Sequence, residues 1–367
     1  MKSKKWIAYG VTGVVGLGLI AGGATAAAAA MDLRDAEGTT LPGGELTGKG
    51  KAALEVSEPV RIQVTDDSAA ILTAPTAVTP ATPLTPPTAV GRDLIGVVDE
   101  VGAGVTDIAV GDRVWTSSAG YDGRPGVTAE RVVVDVDRIY PAPPGADAVE
   151  FVAAVHPATT AIAALHLRAR IQPGETLLIA GANGSVGAAL VQEGLAAGAD
   201  VVAATRDARA AEILRSWGAE GVVADGGGVA EALVARRPGG ADVFIDASGH
   251  ADTAGVVTQL TRRGRVIVLA GRTSADIDLW SLQTRELRIE GFILSALDVG
   301  ELRWVAGELV ARWRDGRAPR ARVGEVMSFA DAETAHRRIE GGALGRTDDG
   351  FVERLVLVPP TPGEVSG

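Results

Sequence analysis

Hydrophobic and polar positions fall into three textures along the chain. Residues from Trp6 to Met31 run without a charge behind the basic cluster Lys2, Lys4 and Lys5. Residues 32–70 are polar, with one strand predicted at Val60–Thr65, and residues 71–90 (ILTAPTAVTPATPLTPPTAV) repeat proline every few positions. Proline fixes φ and has no amide donor, so this stretch is predicted as an extended linker with no place in a sheet. After Arg92 the texture changes again. Short apolar runs at Leu94–Val98, Asp112–Trp115 and Arg131–Val136, separated by glycine-containing turns, predict a small β region.

From Thr159 onward, apolar runs alternate with amphipathic ones. Strands are predicted at Thr176–Ala180, Val201–Ala204, Val222–Val223, Val243–Asp246 and Val266–Ala270, and helices at Val186–Ala197 and Ala210–Trp217. Apolar strands joined by amphipathic helices predict an α/β fold with a doubly wound parallel sheet. Composition agrees: 46% of residues are hydrophobic but only 4% aromatic, so the core is built of Val, Leu, Ile and Ala, as a sheet buried on both faces requires.

The order basic, apolar, small at the N-terminus, with Ala24-Thr25-Ala26 fitting an A-x-A cleavage site, has the form of a secretory signal peptide. Uncleaved, residues 6–31 are also long enough to contact and span a bilayer, where roughly 20 apolar residues suffice. All five lysines lie within the first 51 residues, a step that suggests two segments of different origin. A formal net charge of -11 argues against a nucleic-acid partner, which would call for a basic face. Without cysteine, disulfides, thiolate nucleophiles and cysteine zinc sites are excluded.

The candidate chemistry lies after the first parallel strand. Gly181, Gly184 and Gly187 are spaced G-x-x-G-x-x-G, with Ala182, Asn183, Ser185 and Val186 between them. The first glycine permits a sharp exit from the strand, the second lets a pyrophosphate approach the backbone, and the third lets the helix pack on the sheet. The helix N-terminus then offers bare amides to the phosphates. Strand before, helix after and a second strand about twenty residues on are the context that a dinucleotide site needs. The second strand ends Thr205-Arg206, without the carboxylate that would clamp an NAD ribose. Arg206, with Arg209, could fork a 2′-phosphate, which favours NADPH over NADH.

The run IQPGETLLIAGANGSVGAALVQEGLAAGADVVAAT resembles the cofactor core of the medium-chain dehydrogenase/reductase superfamily. GRDLIGVVDEVGAGVTDIAVGDRVW, GGADVFIDASG, RRGRVIVLAG, ELRIEGFILS and AETAHRRIEGG…FVERLVLVP resemble its flanking strands and closing helix, in order, over about Gly91 to Pro360. The zinc alcohol dehydrogenases of this superfamily carry Gly-His-Glu where this chain has Gly91-Arg92-Asp93. The resemblance is therefore to the zinc-free quinone oxidoreductase and enoyl reductase branch, with no metal. It implies a Rossmann-type sheet plus a partial GroES-like β barrel, here with a hydrophobic N-terminal helix and a disordered linker. It also implies NADPH as hydride donor, a small-molecule quinone or enone as acceptor, and a homodimer. By matching positions, Thr160, Ser248, Ala270, Gly271 and Arg272 would touch the cofactor, and Phe292, Leu294 and Ser295 would lie beside the nicotinamide. For Phe292 and Leu294, plain core packing is an equal alternative.

The division expected is 1–30 signal or anchor, 31–90 linker, 91–150 partial barrel, 151–290 nucleotide domain and 291–367 a return to the barrel. The family has some sixty residues of barrel strands where this chain has its linker, so an N-terminally truncated reductase fused to a signal-like segment is expected. A catalytically inactive NADPH-binding remnant, membrane-tethered or not, is the alternative, since fold does not establish function. The catalytic residue is unassigned, and His156, His166, His250 and His336 suggest structural roles. The Tyr-x-x-x-Lys pair of short-chain dehydrogenases is impossible beyond residue 51 without lysine, and a methyltransferase would want the missing ribose acid. The N-terminus points to export or a membrane, and NADPH chemistry to the cytoplasm.

Overall fold

The computed structural model describes residues 59–63, 69–71, 91–102, 105–121, 126–128, 131–271, 274–340 and 347–359. The signal-like segment and the proline-rich run 72–90 lie outside the described residues. The chain divides into two compact units: residues up to Val152 with Glu325–Ala343 and Leu355–Gly367, and Ala153–Gly324 with Leu344–Arg354.

The first unit is an antiparallel sheet of β1 (Pro59–Gln63), β2 (Ala69–Ile71), β3 (Asp93–Val101), β4 (Arg113–Thr116), β5 (Arg131–Asp135) and β6 (Ile139–Pro141), joined by β13 (Val323–Ser328) and β14 (Arg354–Val358). β3 pairs with β4 along one edge; its other edge holds β2 at the start and β1 at the end. Leu94, Val98, Val114, Val132, Val134 and Ile139 form its core. Trp115 adds ring contacts to Tyr140 and Phe151 at 5.0 and 5.5 Å.

Here the linker expectation is corrected. The strand expected at Val60–Thr65 is present as β1, hydrogen-bonded on both sides, to β3 (Val60 opposite Val101) and β5 (Val60 opposite Val134). β2 joins β3 to β14. Proline stands only at the first position of β1, where a missing donor disturbs the ladder least. The stretch joins a sheet because its partners, 22 and more residues away in sequence, satisfy its backbone groups. The edges that truncation would leave bare on β3 and β5 are thus filled.

The second unit carries a six-stranded, all-parallel sheet in the order β12 (Arg288–Gly291), β11 (Leu260–Val268), β10 (Ala241–Asp246), β7 (Thr176–Ala180), β8 (Asp200–Thr205), β9 (Glu220–Val223). Counted from β7, this is the 3-2-1-4-5-6 order of the Rossmann fold. The chain leaves β7 towards β8 on one side and later returns to β10 on the other, so the switch point lies between β7 and β10. α2 (Ser185–Ala196) and α3 (Ala208–Ser216) are the expected helices, within two residues at each end. Leu178, Val202, Phe244 and Val266 are fully buried in a core with Val229 and Leu233 of α4 (Gly228–Arg236) and Val256 of α5 (Thr253–Thr258).

α1 (Ala148–Ile162) precedes the sheet and continues as a π-helical turn to Ala169. A late helix, α7 (Val299–Arg314), opens on a capping box of Asp298 and Glu301 and buries Leu302, Val305, Ala306, Leu309 and Trp313. α7 belongs to the second unit, so the expected return of 291–367 to the barrel is corrected: only Glu325–Ala343 and Leu355–Gly367 group with the first unit. The apolar face of α7, at helical spacing, decides where it packs.

Candidate dinucleotide site

The glycine turn has the geometry its spacing predicts. Gly181 adopts φ +76, open to glycine and strained for other residues, and a Cβ there would lie 2.9 Å from the Ser248 amide nitrogen. At Gly187 a Cβ would lie 2.8 Å from the Ala182 Cα and nearer still to the Gly181 carbonyl oxygen. Turn and helix therefore touch backbone to backbone. Gly184 is the N-cap of α2, with no side-chain cap hydrogen bond. The first amides of a helix have no partner inside the helix. Those of Ser185, Val186 and Gly187 thus open α2 without a side-chain cap, at the carboxyl end of β7 beside the switch point, as a diphosphate requires.

Not every turn residue points its polar groups at a ligand. Ala182 is fully buried, and its amide donates to the Ala204 carbonyl at 3.0 Å. Asn183 is buried, and its side-chain amide donates to the Gly350 carbonyl at 2.8 Å. Thr205 is buried too, its hydroxyl accepting from the Asp207 amide at 3.2 Å. The side chains of Asn183 and Thr205 thus brace the ends of the turn from within the protein. Asn183 lies in the glycine turn and Thr205 ends β8, and at both places neighbouring backbone groups need partners.

At the ribose end, Asp207 does not serve as the missing acid. It caps α3, one carboxylate oxygen accepting from the amides of Arg209 and Ala210 at 2.8 and 3.0 Å. Arg206 projects with its side chain 65% exposed, 4.0 Å from Asp225. Arg209 donates to the Asp348 carbonyl at 3.0 Å. On the far side of the switch point, Ser248 lies in a turn organised by buried Asp246. That carboxylate accepts from the Ser248 amide and hydroxyl at 2.8 and 2.7 Å, from Gly249 at 3.0 Å and from Ala251 at 3.3 Å. Asp246 was missed as a site-shaping residue, although an acid ending a strand before Ser-Gly is an Asx-turn signal. Ala270 and Gly271 follow the end of β11; Arg272 lies outside the described residues.

Two family descriptions match the chain: an alcohol dehydrogenase GroES-like domain over residues 64–144, and a zinc-binding dehydrogenase over residues 185–311. The quinone oxidoreductase of Mus musculus is 30% identical over 264 residues, 70% of this chain and 77% of that protein. The chain belongs to the medium-chain dehydrogenase/reductase superfamily. The fold agrees with solved members. A quinone oxidoreductase from Pseudomonas syringae has TM-score 0.68 at 20% identity, covering 83% of this chain and 92% of that one. A mycobacterial protein solved as a complex with NADPH has TM-score 0.67 at 23% identity, covering 82% and 91%.

As a member of this oxidoreductase superfamily, the chain can be read at the positions that likeness nominated. Thr160 is buried in α1, its hydroxyl donating to the His156 carbonyl at 2.7 Å. Thr159 does the same to Val155 at 2.6 Å, around Pro157, whose ring interrupts the helical ladder. Phe292, Leu294 and Ser295 are all buried, and Arg168 lies 5.8 Å from the centre of the Phe292 ring. His166 donates to, or accepts from, nothing catalytic in the described residues: it meets buried Glu193 at 2.6 Å, which Arg312 also holds at 3.1 Å.

Where the superfamily's zinc enzymes have Gly-His-Glu, Gly91 adopts φ +90 against Thr128, and Arg92 and Asp93 are both buried. Burial pushes the Arg92 guanidinium's pKa down, against the opposing pull of Asp93 and Tyr121. Asp93 accepts from the Ser117 hydroxyl at 2.7 Å. Among the described residues, no three His, Asp or Glu side chains gather as metal ligands would.

Proposed function

We propose that this chain is an NADPH-dependent reductase that delivers hydride to a quinone or an α,β-unsaturated carbonyl without a metal. The observation that carries it is the uncapped start of α2 behind the Gly181 turn, paired with a β8 end that offers Arg206 and no acid clamp. The quinone oxidoreductase relative and the NADPH-bound fold neighbour support the same reading. Zinc independence rests on the residues: no cysteine in the chain, and a buried cation, Arg92, where zinc enzymes place histidine.

Bound NADPH would supply a hydride, and the acceptor gains it with one proton to give a hydroquinone or saturated carbonyl, leaving NADP oxidised. The protein's part is positional. Amides of Ser185, Val186 and Gly187 hold the diphosphate, Arg206 meets the 2′-phosphate, and the Asp246 turn shapes the opposite wall of the switch point. The test is titration of the full chain with NADPH and NADH, followed by NADPH absorbance with a simple quinone or enone. Tighter NADPH binding and acceptor-dependent oxidation are expected. Binding without oxidation leaves the inactive remnant; binding of neither nucleotide removes both readings.

The reading includes a homodimer. β12 ends the parallel sheet with Ile289 40% exposed, and Leu279 and Trp280 on α6 (Leu279–Thr284) are 72% and 71% exposed. An open strand edge flanked by apolar side chains can pair with a second copy about a twofold axis. Sedimentation should give a dimer, and Ile289→Lys a monomer; a monomeric wild type removes this part.

A further inference from the structure

Six residues near the C-terminus, Thr347 to Val352, lie across both halves of the nucleotide site. The Val352 amide donates to the Asn183 carbonyl at 3.0 Å, while the Asn183 side chain donates to the Gly350 carbonyl at 2.8 Å. A residue in the middle of the glycine turn is thereby held at both polar ends. On the ribose side, Arg209 donates to the Asp348 carbonyl at 3.0 Å. Gly350, at φ +83, sits so close to Asp207 that a Cβ would lie 2.6 Å from each carboxylate oxygen. That carboxylate is the cap of α3.

The segment has its own anchors. Gly350 donates to the Thr347 carbonyl at 2.8 Å, closing a turn, and Arg322 pairs with Asp349 at 2.7 Å. The Phe351 ring lies 5.2 Å from the Trp217 ring and under the Arg322 guanidinium at 4.7 Å.

We propose that Thr347–Val352 is a positioning strap for the coenzyme, holding the phosphate end through Asn183 and the ribose end through Asp207 and Arg209. This rests on the dinucleotide reading above. The carbonyl of Asn183 and the amide of Gly184 belong to one rigid peptide plane. The bond from Val352 therefore orients the plane that leads into the bare amides of α2. A diphosphate needs those amides held to within about half an ångström. By linkage, a strap that orders the site for the coenzyme is itself ordered by the coenzyme.

The test uses the full chain. Gly350→Ala places a methyl group against Asp207 in a backbone conformation that alanine resists. It should raise Kd for both NADPH and NADH about tenfold, with kcat at saturating coenzyme within about twofold. Asn183→Ser should do likewise, and the double variant should lose no more than about the worse single, because both break one device. Deuterium exchange at the Val352 amide of the wild type should slow when NADPH is added. A strap of merely structural importance would lower thermal stability without this split, non-additivity or protection. Independent, multiplying losses in the double variant would overturn the proposal, as would unchanged Val352 exchange. If wild type binds coenzyme and a folded Gly350→Ala binds it equally, the strap alone is refuted. If wild type binds neither nucleotide, the dinucleotide reading falls and takes the strap with it.

Discussion

Alanine at Gly187 should weaken coenzyme binding roughly ten- to a hundredfold, whereas alanine at Gly307 should leave it unchanged, although both are helical glycines. At Gly187 the new methyl carbon would lie 2.8 Å from the Ala182 Cα and closer to the Gly181 carbonyl oxygen. Ordinary carbon contacts begin near 3.5 Å, so the start of α2 must withdraw from the turn by about 1 Å. Overpacking of this kind costs about 1–3 kcal/mol. Better helix propensity returns about 1 kcal/mol, which leaves a net loss of stability of about 0–2 kcal/mol. Binding suffers more than folding. An amide donating to a charged phosphate is worth about 1.5–3 kcal/mol, and a 1 Å displacement forfeits about one such bond. At Gly307 nothing lies within 4 Å of the added Cβ, so only the propensity gain of about 1 kcal/mol remains. Calorimetric titration with NADPH and thermal unfolding of both variants measure the two effects separately. Gly187→Ala that binds like wild type, or that gains stability as Gly307→Ala does, would refute the cradle.

Arg206→Glu should raise Kd about tenfold for NADPH and less than about threefold for NADH, and equal losses in the two titrations would remove the 2′-phosphate assignment. Glu193→Ala takes away the carboxylate, 2% exposed, that His166 and Arg312 share, leaving Arg312 with Glu308. Breaking such a buried cluster costs about 3 kcal/mol, or roughly 6–12 °C in Tm. A loss below about 1 kcal/mol would mean the cluster is worth no more than a surface pair. Glu286, exposed, is held below the usual carboxylate range by hydrogen bonds from Arg263 and Arg262. Its contribution is whole above the unfolded carboxylate value and is lost as pH falls through the lower folded value. Wild type and Glu286→Gln should therefore differ most in Tm at pH 6, and the gap should shrink as pH falls below the unfolded carboxylate value of about 4.3. A gap that stays the same at every pH contradicts the assignment.

The sequence by itself determined what depends on near neighbours. The apolar run of β7 has the boundaries its residues predict, Thr176–Ala180. The left-handed turn at Gly181 and the start of α2 follow from glycine spacing, because φ preference and helix entry are settled within a few residues. That the second sheet is parallel followed from the alternation of strands and helices, since parallel neighbours need crossover connections, while its strand order is a finding of the structure. Other features depend on which distant partner supplies a hydrogen bond. Val60, Arg61, Ile62 and Gln63 alternate and predict a strand, but that this strand sits between β3 and β5 is decided by partners distant in sequence. Asp207, two residues past the place an NAD clamp would occupy, is spent on capping α3. Asn183 turns inward because Gly350 and Val352, more than 160 residues later, meet both of its polar ends. Propensity is a property of the local chain, whereas satisfaction of buried polar groups is a property of the packed whole, and only the tertiary structure decides it.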